Sequence, residues 1–139
     1  MKYILFFTLL LIISTTKSQT FDLEITITNI NTISGNIIIG IFNSEDTFLK
    51  KGEDCGLYSI KVLKNIETIT INSLPKGDYA ISLYHDINSD KKCNTNIIKI
   101  PTEPYAFSNN YKPRFTKPSF NNCKILLNQN TSIVLKLIE

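Results

Sequence analysis

From Phe21 onward, apolar and polar side chains alternate with a period of two, and no sustained 3.6-residue period replaces that alternation. Successive side chains reach opposite faces only in an extended strand, so this pattern restricts the chain to half-buried β-structure. In the first run Phe21, Leu23, Ile25 and Ile27 share one face, and Asp22, Glu24, Thr26 and Thr28 share the other. Asn36–Phe42 is nearly continuous Ile, which fits a central strand covered on both faces. Further short runs at Tyr58–Leu63, Glu67–Ser73, Asp78–His85, Ile97–Ile100, Cys123–Leu127 and Ser132–Ile138 read as strands. Asn31–Gly35 and Leu74–Gly77 read as turns, Asn43–Gly56 as a polar loop, and Pro101–Phe120, with four Pro, as a long loop. Seven or eight short strands in roughly 120 residues predict one antiparallel, Greek-key β-sandwich over residues 19–139.

The first residues are of another kind. Lys2 precedes Tyr3–Ile13, which has Thr8 as its one polar residue, and a short polar stretch follows. A basic start, a brief apolar run and small residues before a polar segment describe a secretory signal peptide over residues 1–18. A membrane span needs about 20 apolar residues, which this run lacks. Cleavage is expected between Ser18 and Gln19, with Thr16 and Ser18 as the small residues, and no Cys nearby suggests a lipid anchor. The expected compartment is the periplasm, the cell envelope or the medium, with no membrane span after cleavage. Losing Lys2 and Lys17 leaves 13 basic residues against 12 acidic, a net charge of +1. A near-neutral chain with scattered basic residues has no electrostatic grip on nucleic acid.

Chemistry concentrates in His85–Asn96. Asp86, Asn88, Asp90 and Asn94 occupy positions 1, 3, 5 and 9 of a calcium-type loop, and the Lys92 carbonyl falls at position 7. A loop curling round an ion turns every second residue inward, and calcium takes six to eight hard oxygen ligands. The template is incomplete. Lys91 stands where Gly makes the sharp turn, and Ile97 stands where a bidentate Glu closes the site; Glu103 completes it if the next loop folds back. The competing expectation is a polar connector whose Asp and Asn side chains cap their own backbone. Zinc and copper are disfavoured because His85 is the one imidazole.

Leu74–Ile81, His85-Asp86-Ile87-Asn88, Asn94-Thr95-Asn96, Pro101–Asn110 and Pro118-Ser119-Phe120 together resemble the uncharacterised exported family known as domain of unknown function 2141. The Gly35–Phe42 strand and the last strands fit it too, so the resemblance spans nearly the whole mature chain. It implies an immunoglobulin-like or transthyretin-like sandwich with no established activity. It also implies a fuller Asp/Asn/Gly loop, with Gly near 91 and Asp near 94, where this chain has Lys91 and Asn94.

The expected protein is a non-enzymatic binding or structural module of the cell envelope, with calcium at 86–96 as its one candidate cofactor and an envelope or extracellular ligand as its partner. Two alternatives accompany it. Tyr105–Tyr111 mixes aromatics with amides, which suits a plug for one end of the sandwich ahead of a carbohydrate- or peptide-binding surface at 101–111. A hydrolase using His85 with Asp86 or Cys93 is the enzyme alternative; a transthyretin-like hydrolase needs several His and Arg, and the chain has His85 and Arg114 alone. An edge-pairing assembly subunit is a further class. Cys55, Cys93 and Cys123 permit one disulfide and leave one thiol over in a monomer, with the pairing open.

Overall fold

A computed structural model describes residues 18–98, 100–114 and 116–139, so the expected leader lies, except for Ser18, outside the described residues. Eight strands form: β1 (Thr20–Thr28), β2 (Asn36–Phe42), β3 (Gly56–Lys61), β4 (Glu67–Pro75), β5 (Gly77–Asp86), β6 (Tyr105–Phe107), β7 (Ile125–Leu127) and β8 (Thr131–Lys136). They make two packed sheets. One has the order β4-β1-β8. The other has the order β3-β2-β5-β6, and β7 pairs with the start of β5.

The alternation fixes what each sheet buries. Ile37, Ile39 and Ile41 of β2 and Tyr79, Ile81 and Leu83 of β5 face inward against Leu23, Ile25 and Ile27 of β1, with Ile71 and Leu135 beside them. Each such side chain contributes about 1.5–3 kcal/mol when fully buried. The outer face of the larger sheet is covered at one end only. There Ala80, Phe107, Phe120 and Cys123 form a second cluster, with Phe48 at 5.4 Å from Phe42 and 6.0 Å from Phe120, both edge-on. Phe120 and Cys123 arrive on a single helical turn, α1 (Phe120–Cys123), closed by a capping box in which Ser119 and Asn122 bond each other's backbone N–H.

Three local expectations change. Ile97 and Ile98 lie in a turn closed by an isolated bridge of Thr95 with Pro101, where the Asn96 side chain captures the Ile98 and Ile100 N–H groups that a strand would need for pairing. The 101–120 stretch holds β6 and a 3-10 turn at Ser108–Asn110, and it runs into α1, where Cys123 lies instead of opening a strand. One pair is parallel, β1 with β8. The chain leaves β7 at the end of the sandwich where β1 begins, then crosses to the other sheet, so both strands run the same way.

Thr28 pairs with Lys136, Ile27 with Glu67, and Asn36 with both Lys61 and Asp86. The connections 29–35, 62–66 and 87–104 therefore leave the same end. Gly35 lets them close: its φ is +68°, and a Cβ there would sit 2.0 Å from the Asp86 carbonyl oxygen and 2.9 Å from Ile87 Cα. Gly35→Ala is expected to cost at least about 2 kcal/mol in a urea titration, since strain and a backbone clash add. Gly52→Ala, with φ +77° but open space around it, should cost less.

Candidate functional site

β5 delivers His85 and Asp86 to this end on opposite faces, His85 toward the core and Asp86 outward. Beyond Asp86 the chain has no ladder partner, so its N–H groups need other acceptors. Two buried carboxylates supply them. Asp86, 1% exposed, accepts from Asp90 N at 3.1 Å through Oδ1 and from Lys91 N at 2.9 Å through Oδ2. Glu103, 8% exposed, accepts from Ile87 N and from Asn94 N, each at 3.1 Å. Glu103 does fold back, and it ties the loop's two limbs together. Ser89 and Lys91 both adopt φ of +60°, the left-handed turns that bring the Asp90, Lys91 and Lys92 N–H groups round to their acceptors.

Asp90 gathers the rest. Its Oδ1 accepts from Lys92 N at 2.9 Å, and its Oδ2 accepts from the Asn88 and Asn94 side-chain amides at 3.3 and 3.2 Å. Desolvation pushes the Asp90 carboxyl up, but the hydrogen bonds from the Lys92 N–H and the Asn94 and Asn88 amides outweigh it and hold it below the ordinary Asp range. Its contribution to loop order is therefore present above the ordinary Asp pKa and lost as pH falls through the lower folded value.

Four of the five expected ligand residues, with Glu103, thus meet in one hydrogen-bonded loop, to which Lys92 adds its N–H. They meet as carboxylate to N–H, not as oxygen facing oxygen. Among the described residues no group of three or more His, Cys, Asp and Glu is arranged to hold a metal ion. Asp86 and Glu103 are occupied by backbone donors. Asn88 Oδ1 accepts from Asp90 N at 3.1 Å and Asp90 Oδ2 accepts from the Asn88 and Asn94 amides, so calcium would displace those bonds to use them, beside the Lys92 carbonyl and the Asn94 amide oxygen. The set fits a hard cation only in part.

The remaining candidates fall elsewhere. His85 is fully buried, with Nε2 2.7 Å from the Ser34 carbonyl oxygen and Nδ1 without a hydrogen-bond partner. A ring donating from Nε2 leaves Nδ1 as a bare lone pair in the core, the cheaper of the two groups to strand there. Tyr105 and Phe107 pack edge-on at 5.8 Å beside the second cluster. Ser108 takes the Ile81 N–H at 2.8 Å and donates to the Cys123 carbonyl. Asn109 bonds the Asn122 and Lys124 carbonyls, and Asn110 bonds the Val134 carbonyl and the Lys136 N–H. These amides, though exposed, clamp α1 and β8.

Beside Asp86, the uncovered part of the outer sheet face forms an open depression of about 430 Å³ lined by Ile38, Tyr58, Tyr84, Ser89 and Lys91 among others. Cys55 and Cys93 are exposed and Cys123 is buried, all as free thiols; burial pushes Cys123 up to about 11. Glu67 is a structural residue that the alternation does not single out: Oε1 accepts the Leu63 and Lys64 N–H at 2.7 and 2.9 Å and closes the β3–β4 turn.

Comparison with known proteins places residues 25–134 in the family described as an uncharacterized protein conserved in bacteria, DUF2141, and the chain belongs to that family. No curated protein and no solved structure matches it.

Glu103→Gln replaces one of two acceptors with a donor that faces an N–H. It is expected to lower stability by about 1–3 kcal/mol and to speed amide exchange at Ile87 and Asn94, read by hydrogen exchange. With a thiol reagent at pH 8, the native protein should label twice, at Cys55 and Cys93, each more slowly than a free thiol because burial raises both pKa values. Cys123 should label only after unfolding, read by mass.

Proposed function

We propose that this protein is an exported, non-enzymatic binding or structural module of the cell envelope that works through the end of the sandwich built on the 86–96 loop. One observation carries this reading: the two buried carboxylates of that end, Asp86 and Glu103, are engaged by backbone N–H groups. Carboxylates so held order a loop; they are poor general acids or bases, which must exchange protons with substrate. The full burial of His85 against Ser34 supports the same view, since a catalytic imidazole must reach a substrate. A preformed loop end binds without a large ordering cost. Export is supported by the form of residues 1–18.

Calcium at the loop is a second reading, favoured by the convergence of Asn88 and Asn94 on a single oxygen of Asp90. On that reading the two amides turn their oxygens inward, joined by the Lys92 carbonyl, and the ion bridges them to Asp90.

Expression of the full chain in a bacterial host should yield an extracytoplasmic product whose N-terminal residue is Gln19; an intact leader on a cytoplasmic product would remove the envelope from the account. If calcium organises the loop, it raises the melting temperature over that in chelator, and Asp90→Asn, an exposed change, loses the rise. Superimposable melting curves in calcium and chelator eliminate the ion.

A further inference from the structure

The 29–35, 62–66 and 87–104 connections share more than direction. They touch: Val62 N–H donates to the Gly35 carbonyl at 3.2 Å, and His85 reaches Ser34. Among the described residues nine large hydrophobics are exposed, and six of them, Ile33, Leu63, Ile66, Ile97, Ile98 and Ile100, lie on these three connections. Scatter would spread them over the surface; here they collect at one end. Ile97 is 101% exposed and Ile98 is 73% exposed, values of side chains at the tip of a projection.

Charge at this end is sorted in the same way. Lys61, Lys64, Lys91 and Lys92 are exposed. Of the acids at this end, Glu67, Asp86 and Glu103 are buried on backbone N–H groups, while Asp90, held by two amides beside Lys92, and Glu139, bonded by Asn31, stay exposed, so the four lysines outnumber the exposed acids. At the opposite end the 43–55 connection presents Glu45, Asp46 and Glu53, with Asp54 half-buried, against Lys50 and Lys51. The loop end therefore offers aliphatic tips within a basic surround.

Part of the tip's backbone is also already paired. Asn96 Oδ1 accepts from Ile98 N at 3.1 Å and Ile100 N at 3.0 Å, and Asn96 N donates to the Ile100 carbonyl at 2.9 Å. A backbone N–H without a partner would oppose entry into an apolar medium by several kcal/mol. Here those donors are satisfied before the tip meets anything.

We propose that this end of the sandwich docks on an anionic phospholipid surface, with Ile97 and Ile98 entering the headgroup–acyl boundary and Lys61, Lys64, Lys91 and Lys92 meeting lipid phosphates. A projecting, fully exposed aliphatic tip needs no shaped counterpart in a fluid surface, whereas a protein partner would need a matching pocket. Basic residues close to an anionic surface and inserted apolar side chains add in such binding. The proposal rests on the binding-module reading and gives its partner a chemical class.

The test is vesicle co-sedimentation of the full chain, expressed with its own N-terminal segment. Mixed phosphatidylglycerol–phosphatidylcholine vesicles are compared with phosphatidylcholine alone. The wild type should pellet with the anionic vesicles and be released by salt. Ile97→Asp with Ile98→Asp should weaken binding roughly tenfold or more with an unchanged melting temperature, since neither side chain packs. Lys61→Glu with Lys64→Glu should weaken it about fivefold or more per lysine. All variants are the exported product beginning at Gln19, so a difference between them belongs to the loop end. A wild type that does not pellet, or variants that pellet as the wild type does, would overturn the docking. Docking absent from a correctly exported protein sinks this proposal alone; a chain retained in the cytoplasm sinks the envelope reading instead.

Discussion

Asp86 and Glu103 stand where a closed two-sheet core meets a long connection with no ladder of its own. Backbone N–H groups there must be satisfied, and the two carboxylates accept four of them between Ile87 and Asn94. Charge-assisted bonds of this kind are stronger than neutral ones. Burial makes them matter more, because a carboxylate desolvated without donors is costly. The loop end has a defined shape because those two groups have nowhere else to place their charge.

That constraint reaches further than the loop. Withdrawing Asp86, Glu103 and Glu67 onto backbone leaves Asp90 and Glu139 as the exposed acids against the lysines of the same end, which gives the end its surface character. Gly35 belongs to the same joint, since it lets the 29–35 connection lie against Asp86 and Ile87. Along the edge of the sandwich, Ser108 and the two Asn that follow do for α1 and β8 what the carboxylates do here: side chains take backbone groups that no neighbouring strand pairs.

The apolar runs identified seven of the eight strands, and two-residue periodicity gave the buried face of β1, because side-chain direction in a strand is local geometry. It failed at Ile97–Ile100, which looked like a strand, because Ile97 and Ile98 turn and the Asn96 side chain takes the Ile98 and Ile100 N–H groups. It failed at Tyr105–Phe107, too short to show a period and embedded among prolines. The loop was legible as a site from its Asp and Asn spacing, yet that spacing serves two chemistries. Cation coordination and amide capture both need alternate oxygens. Only the positions of the backbone N–H groups distinguish them, and those depend on the left-handed Ser89 and Lys91.

The sequence by itself determined the class of fold, the inward faces, the family and the loop that carries the chemistry, because each follows from side-chain type and local spacing. Tertiary structure decided the rest. It brought Glu103 back to Asp86, ran β8 parallel to β1, buried His85 and gathered the exposed isoleucines and lysines of three separate connections at one end. Those outcomes depend on which distant segments the packed sheets bring together, and no local pattern encodes that.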